Sequence, residues 1–414
     1  MARRKVDTRT SKYTIGFICE GEKSEPYFIR KLYVALQNDS FNIDVHPQIQ
    51  EELRQNQTTP AIRKEGTRPV KNRSIPDPLL KSYYGKPQPT NWVLAGEELL
   101  DTCNEVWVLF DRDGHPNVQS AFVEIDRIRQ MHSNYNVVFS SRCFEYYMLM
   151  HYEYSTKTYN KAECNHKEDG KTVSENCCTN HATQNACDGS LCINGYARLC
   201  KYWTDSKNDH VYDICRNLWW GILNSFHVKW HSLLSNRTQK IYDRNPYLNI
   251  YHLTLRMLGM GCLEPFEPPI IRDLGNGTRH TLNRNDNDLH IECHSPIPIR
   301  NIELQEYRLL TDAELQANGM KDLHIQDYLV QTHTIVLNLS QGETIDIDIT
   351  QYGLDAEDKY GIIEWDRIKY FVAPILKPIT IGLVEYNAQR VEHIDSKLLN
   401  QKYTPCITTP VTQG

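Results

Sequence analysis

The chain has 414 residues, 40% of them hydrophobic and 24% charged, with a formal net charge of −6. That length is too great for one ordinary core and predicts two or three domains, while the composition excludes a fibrous or wholly disordered chain. The acidic balance excludes a non-specific nucleic-acid coat protein, so any contact with nucleic acid must be local.

The chain opens on a basic stretch, MARRKVDTRTSKY, read as a solvated tail. Only the short IGFIC run follows, too little for a secretory leader, and no stretch reaches the roughly 18 apolar residues of a membrane span. A cytoplasmic protein is therefore expected, with its 13 cysteines as thiols or metal ligands rather than disulfides.

Tyr13–Cys19 (YTIGFIC) reads as a β-strand ending at Glu20-Gly21. A helix should follow, capped by Ser24, with Pro26 in its first turn and Phe28, Leu32 and Leu36 at helical spacing. A second strand is expected over Ile43–Ile49. Residues 57–92 carry many Pro, Lys and Arg and read as a long exposed loop. Arg54, Arg63, Lys64, Arg68, Lys71 and Arg73, scattered through this loop and its approach, are either solvated or a grip on a nucleic-acid backbone.

Glu105–Phe110 (EVWVLF) is a continuous apolar run, as in a buried parallel strand, and it ends in Asp111-Arg112-Asp113-Gly114. Phe122, Ile125 and Ile128 predict a helix, Asn136–Phe139 another strand, and Phe144–His151 a helix with Glu145 in its first turn. Strands alternating with helices imply a parallel sheet, whose ligands sit at the carboxyl ends of the strands. Glu20, Asp111, Asp113 and Glu145 all follow predicted strands.

Hard divalent ions such as Mg²⁺ or Mn²⁺ are bound by one or two carboxylates plus water and substrate phosphates. Aspartates spaced D-x-D at a strand end project the same way, and Gly114 lets the chain turn off without a Cβ. Glu20 would add a ligand or a general base. Gly21 would let the following helix N-terminus approach a phosphate. A solvated loop whose acids only cap helices explains the joint pattern less well than a metal and phosphate site does.

Residues 151–262 read as helical, interrupted by a Cys-rich insertion at 164–200. Cys164, His166, Cys177, Cys178, His181, Cys187 and Cys192 fall in a stretch with little apolar surface, which favours a structural Zn²⁺. The preferred ligands are Cys164, Cys177, Cys187 and Cys192, with His181 or Cys178 as substitutes. Trp219, Trp220, Phe226 and Trp230 interleave with His227, Lys229 and His231; helical core packing is preferred over base stacking. His151 reads as a helix-end hydrogen bonder in preference to a catalyst. Asn245–Leu258 predicts an amphipathic helix opened by Asn-Pro. No GxxxxGK[ST] loop exists, so ATP chemistry would have to come from a partner. Residues 263–414 turn Pro-, Gly- and Asn-rich, with alternating runs at Thr334–Leu339, Thr344–Ile349 and Ile379–Val384, and predict a β-rich domain.

Three blocks, ICEGEKSEPYF (Ile18–Phe28), LFDRDG (Leu109–Gly114) and SSRCFEYYMLMHY (Ser140–Tyr152), resemble those of the RloB-like Toprim proteins. Asn245-Pro246 resembles a downstream motif, so the likeness covers roughly residues 10–262 apart from the insertion. It implies a Toprim-like α/β catalytic domain over 1–150, a parallel sheet flanked by helices. Composition and patterning, not the likeness, give a helical continuation over 151–262 and a β-rich domain over 263–414, taken as regulatory or partner-docking; the β-rich domain matches none of the family blocks. The likeness also implies an anti-phage, abortive-infection nuclease cutting RNA, with tRNA in view, or DNA, beside an AAA/ABC-type ATPase or another defence subunit. A homo-oligomer stays open. By carry-over, Glu20, Asp111 and Asp113 match the Toprim acids, and Glu22, Glu25 and Glu145 match further acids of the blocks. Tyr147 stands where the family prefers Trp, and Tyr152 where it prefers Phe. The lysine of some related nucleases has no clear counterpart; Arg142 and Lys23 are the candidates. The competing reading is a non-catalytic sensor or assembly protein that binds a partner through the β-rich region.

Overall fold

In a computed structural model of the chain, β1 (Thr14–Cys19) is buried over its last five residues without alternation, as a strand covered on both faces must be. The structure describes residues 12–21, 24–36, 40–48, 79, 89–112, 115, 117–159, 167–168, 171–172, 192–199, 202, 218–235, 240–263, 270–273, 279–285, 288–294, 296, 298–308, 329–354, 359–365 and 368–372. Two units are distinguished, residues 1–139 and 140–414. The sequence reading instead expects boundaries after residues 150 and 262.

In the first unit, β1 is followed by α1 (Ser24–Leu36), β2 (Asn42–His46), α2 (Thr90–Leu99), β3 (Glu105–Asp111), α3 (Val118–Met131) and β4 (Tyr135–Ser141), whose last two residues belong to the second unit. The strands lie in the order β2-β1-β3-β4, with β1 parallel to both β2 and β3. The crossovers run through helices, as parallel pairing requires. The fold is thus mixed α/β, with a parallel-rich sheet flanked by helices. Helix α1 buries Phe28, Ile29 and Leu32, and α3 buries Ala121, Ile125 and Ile128.

Helix α2 is absent from the sequence reading, which ended the exposed loop at residue 92. Trp92, Val93, Ala95, Gly96 and Leu99 are its buried face. Its backbone comes so close to β3 that a Cβ on Gly96 would overlap the Val108 side chain. The expected basic loop lies outside the described residues, apart from Leu79 and the stretch from residue 89 onward.

The second unit holds α4 (Phe144–Met150), a short hairpin of β5 (Lys167–Glu168) and β6 (Lys171–Thr172), α5 (Ile193–Leu199) and α6 (Leu218–Ser235). Next come β7 (Tyr247–Leu248) and α7 (Tyr251–Met257). The predicted helix from Asn245 therefore starts six residues late. Tyr247 and Leu248 instead pair antiparallel with Ser141 and Ser140 at the end of β4.

Strands β8 (Met260–Leu263), β9 (Ile270–Asp273), β10 (Arg279–Asn285), β11 (Asp288–Cys293) and β12 (Ile299–Arg308) follow, then β13 (Leu329–Leu339), β14 (Thr344–Asp348), β15 (Lys359–Trp365) and β16 (Ile368–Val372). They form two sheets, ordered β14-β11-β10-β9 and β13-β12-β15-β16-β8. Leu282, Leu289 and Ile291 of the first pack in one core with Ile302, Leu304, Leu337, Ile363 and Val372 of the second. Trp219 of α6 stacks on Tyr360 of β15 with ring centroids 4.8 Å apart. Of the three alternating runs expected here, Ile379–Val384 lies outside the described residues.

Candidate metal-binding site

The register of the first unit sets two acids side by side. Cys19 of β1 aligns with Leu109 of β3, so Glu20 leaves the sheet beside Phe110 and Asp111. The Glu20 backbone N–H donates to the Leu109 carbonyl at 2.9 Å, which keeps the strand ends joined. The Asp111 backbone N–H donates to Glu20 Oε2 at 2.7 Å. One carboxylate oxygen of Glu20 is thereby tied to the end of the neighbouring strand.

The other oxygen is tied by a residue that the sequence reading missed. After β3 the chain turns, with the His115 N–H donating to the Arg112 carbonyl at 2.8 Å. This turn brings His115 Nε2 to 2.5 Å from Glu20 Oε1. An ionised carboxylate only accepts, so Nε2 carries the hydrogen. The His115 ring meets Trp92 of α2 edge-on at 5.7 Å between centroids. The His115 and Glu20 side chains keep 18% and 16% exposure, enough for an ion or water to reach them. The available signal was a histidine four residues after Asp111, across a Gly-containing turn.

Glu25 lies close by in sequence and is buried in the first turn of α1. Its carboxylate occupies the space beside Gly21, where an added Cβ would overlap it. The approach of a phosphate to the helix N-terminus, expected at Gly21, meets the Glu25 carboxylate there. The buried Cys19 thiol is pushed well up, first by desolvation and then by the negative charge of Glu25, with Arg30 opposing. Arg30 is itself held by a bond from its guanidinium to the Val45 carbonyl at 3.1 Å.

Asp113, Gly114, Glu22 and Lys23 lie outside the described residues. Glu145 is buried in the first turn of α4 and belongs to the second unit. Of the preferred zinc ligands, Cys192 is buried directly before α5, while Cys164, Cys177 and Cys187 lie outside the described residues, as do Cys178 and His181. Among the described residues, no group of three His, Cys, Asp or Glu is arranged as a ready cation cage. In donor chemistry, the two acids at adjoining strand ends still fit a hard divalent ion, which takes one or two carboxylates and fills its remaining positions with water and phosphate.

The second unit shows what buried polar groups look like when they serve packing. His151 follows α4 and its Nδ1 lies 2.9 Å from the Tyr147 carbonyl. Burial lowers its imidazole to a pKa of about 3, so it stays neutral. Its ring lies so close to α6 that a Cβ on Gly221 would overlap Nε2. Trp219, Phe226 and Trp230 are buried as core residues, and Lys229 places Nζ 3.2 Å from His252 Nε2. Glu153 accepts from the Tyr196 hydroxyl at 2.8 Å and the Tyr202 hydroxyl at 2.6 Å.

Among the described residues, no helix is long and apolar enough to cross a membrane. A family model described as RloB-like protein matches residues 15–223, half of the chain, from β1 into α6. No curated protein and no solved structure matches the chain.

Proposed function

This chain belongs to the RloB-like protein family, and on that premise we propose that it is a metal-dependent nuclease of Toprim type. The observation that carries the reading is the pairing of Glu20 with Asp111 at the ends of parallel neighbours, fixed by the bond from the Asp111 N–H to Glu20 Oε2 at 2.7 Å. Glu20, Asp111 and Asp113 would hold Mg²⁺ or Mn²⁺. Such an ion supplies an activated water and stabilises charge on a phosphodiester. Glu25 lends negative charge beside Gly21 and so keeps phosphate away from that helix end; substrate is directed to the open strand ends. Glu145 is a further acid of the same chemistry, carried by the family blocks.

The substrate in this reading is RNA, with tRNA the first candidate, or DNA, and the setting is anti-phage defence beside an ATPase or other partner subunit. The Cys-rich insertion is proposed to bind a structural Zn²⁺ through Cys164, Cys177, Cys187 and Cys192. The strands from β8 onward are proposed as a regulatory or partner-docking domain. The resemblance of the three motif blocks supports the defence setting, and the density of cysteines supports the zinc.

A second reading is favoured by one observation: both oxygens of Glu20 are already engaged by protein donors. In it, the acids are structural and the chain is a sensor or assembly subunit of a defence complex. Incubation with Mg²⁺ or Mn²⁺ and mixed RNA and DNA, beside Asp111→Ala, separates the two. The nuclease cleaves and Asp111→Ala does not. Cleavage by neither protein, with the partner ATPase and ATP supplied, sinks the enzyme reading. Equal cleavage by both sinks the site.

A further inference from the structure

Resting on the metal-site reading, we propose that His115 is the positioning residue of this site: it aims the Glu20 carboxylate at the cation without itself binding it. A glutamate side chain at a strand end has three rotatable bonds and, left alone, would sample many orientations. Here Oε2 takes the Asp111 N–H at 2.7 Å and Oε1 takes His115 Nε2–H at 2.5 Å. Two donors from opposite ends of one turn fix the plane of the carboxylate. Each oxygen keeps a further lone pair for a cation, since an ionised carboxylate offers about four acceptor sites in all.

His115 is itself fixed. Its backbone N–H closes the turn onto the Arg112 carbonyl at 2.8 Å, and its ring meets Trp92 edge-on. Trp92 sits on α2, which packs against β3, so helix, turn and strand all set the direction of Nε2. This reverses the usual arrangement in which a carboxylate orients a metal-bound imidazole. Here an imidazole orients a carboxylate, and the nitrogen that faces the site is spent on Oε1. A hard, oxygen-seeking ion is served by that arrangement, because no nitrogen ligand is offered.

The test is Mn²⁺ binding to the full-length protein, read as free Mn²⁺ by electron paramagnetic resonance, for wild type, Glu20→Gln, His115→Ala and His115→Gln. Loss of an orienting partner weakens metal affinity by about 10- to 100-fold, and His115→Ala is expected in that range. Glutamine carries an N–H donor at the position of Nε2, so His115→Gln is expected to recover most of the affinity, which a purely packing role would not predict. Wild-type affinity in His115→Ala, with binding lost in Glu20→Gln, overturns the proposal and leaves the metal site standing. Unchanged binding in Glu20→Gln means that the metal reading itself has failed. If His115→Ala does not fold, His115→Gln decides alone: a 10-fold or greater loss there counts against the proposal. Pulsed resonance of bound Mn²⁺ supplies the last arm. The absence of ¹⁴N coupling is expected, and a coupling lost in His115→Gln would make His115 a ligand and overturn the positioning role.

Discussion

Two histidines follow two acidic motifs in this chain, and the fold uses them in opposite ways. His115 follows Asp111 across a turn, keeps 18% of its surface, and spends Nε2 on a carboxylate oxygen. His151 follows Glu145 along a helix, keeps 1%, and spends Nδ1 on a backbone carbonyl. At the first, two polar side chains face one another at the rim of a sheet, where a third partner can enter. At the second, Tyr147, Gly221 and the helix end enclose the ring and leave no room for one. Polar groups that meet other polar side chains at a rim are available for chemistry; polar groups that meet backbone inside a core complete the packing.

The largest effect that would break this contrast lies at the rim. Glu20→Gln keeps the shape and the acceptor for the Asp111 N–H but removes the charge. The proposed nuclease activity is expected to fall by about 10²- to 10³-fold, the range for losing one preorganised electrostatic group. Stability should fall by about 1–2 kcal/mol, because the amide nitrogen cannot accept from His115 Nε2–H. A fall beyond about 3 kcal/mol in urea unfolding would place Glu20 among the structural residues.

Gly221→Val is the mirror experiment. Its side chain must enter space held by the His151 ring, and overpacking of this kind costs about 1–3 kcal/mol. Urea unfolding followed by far-ultraviolet circular dichroism measures it, and metal affinity should not change. An unaltered midpoint would mean that α4 and α6 separate at little cost.

Burial also gives the His151 ring a signature in the pH dependence of stability. Unfolded, an imidazole titrates near about 6.5; folded, His151 is lowered by burial to about 3. Above the unfolded value neither state takes up the proton, and stability is complete. As pH falls below it, the unfolded chain gains a proton that the folded chain refuses. Stability is then lost at up to about 1.4 kcal/mol per pH unit, and the loss ends near the folded value. Between about pH 7 and pH 5, wild type should lose about 2 kcal/mol more than His151→Gln. Equal losses would show that His151 is hydrated in the folded chain.

The sequence makes some of this legible and hides the rest for physical reasons. The continuous apolar runs of β1 and β3 announce a sheet buried on both faces, and the acids that end them announce its rim. Of the interleaved aromatics expected in the core of α6, Trp219, Phe226 and Trp230 are buried at helical spacing, while Trp220 is half-buried. Helix α2 was hidden behind a Pro-rich basic stretch whose polarity outweighed the Trp92–Leu99 pattern. The late start of α7 was hidden because Tyr247 and Leu248 are claimed by a distant strand, which local spacing does not report. His115 was hidden for a similar reason: its partner is 95 residues away, and only the β1–β3 register brings the two together. The space beside Gly21 reads as a phosphate seat until the Glu25 side chain is placed in it.

The smallest expected effect tests a departure from the family pattern. Tyr147 stands where the RloB-like blocks prefer Trp, and its hydroxyl lies 2.6 Å from Thr254 Oγ1 of α7, both groups buried. The phenol thus joins α4 to α7 by a polar bond, while its ring meets His151 edge-on at 4.7 Å. Tyr147→Phe removes one partner and strands the other, which costs about 1 kcal/mol. Thr254→Val removes the Oγ1 partner of the phenol at a similar cost. If the two groups serve only each other, the double variant should lose less than the sum of the single losses, by at least about 0.5 kcal/mol, as coupled neighbours do. Strict additivity in urea unfolding would mean that each hydroxyl has another partner.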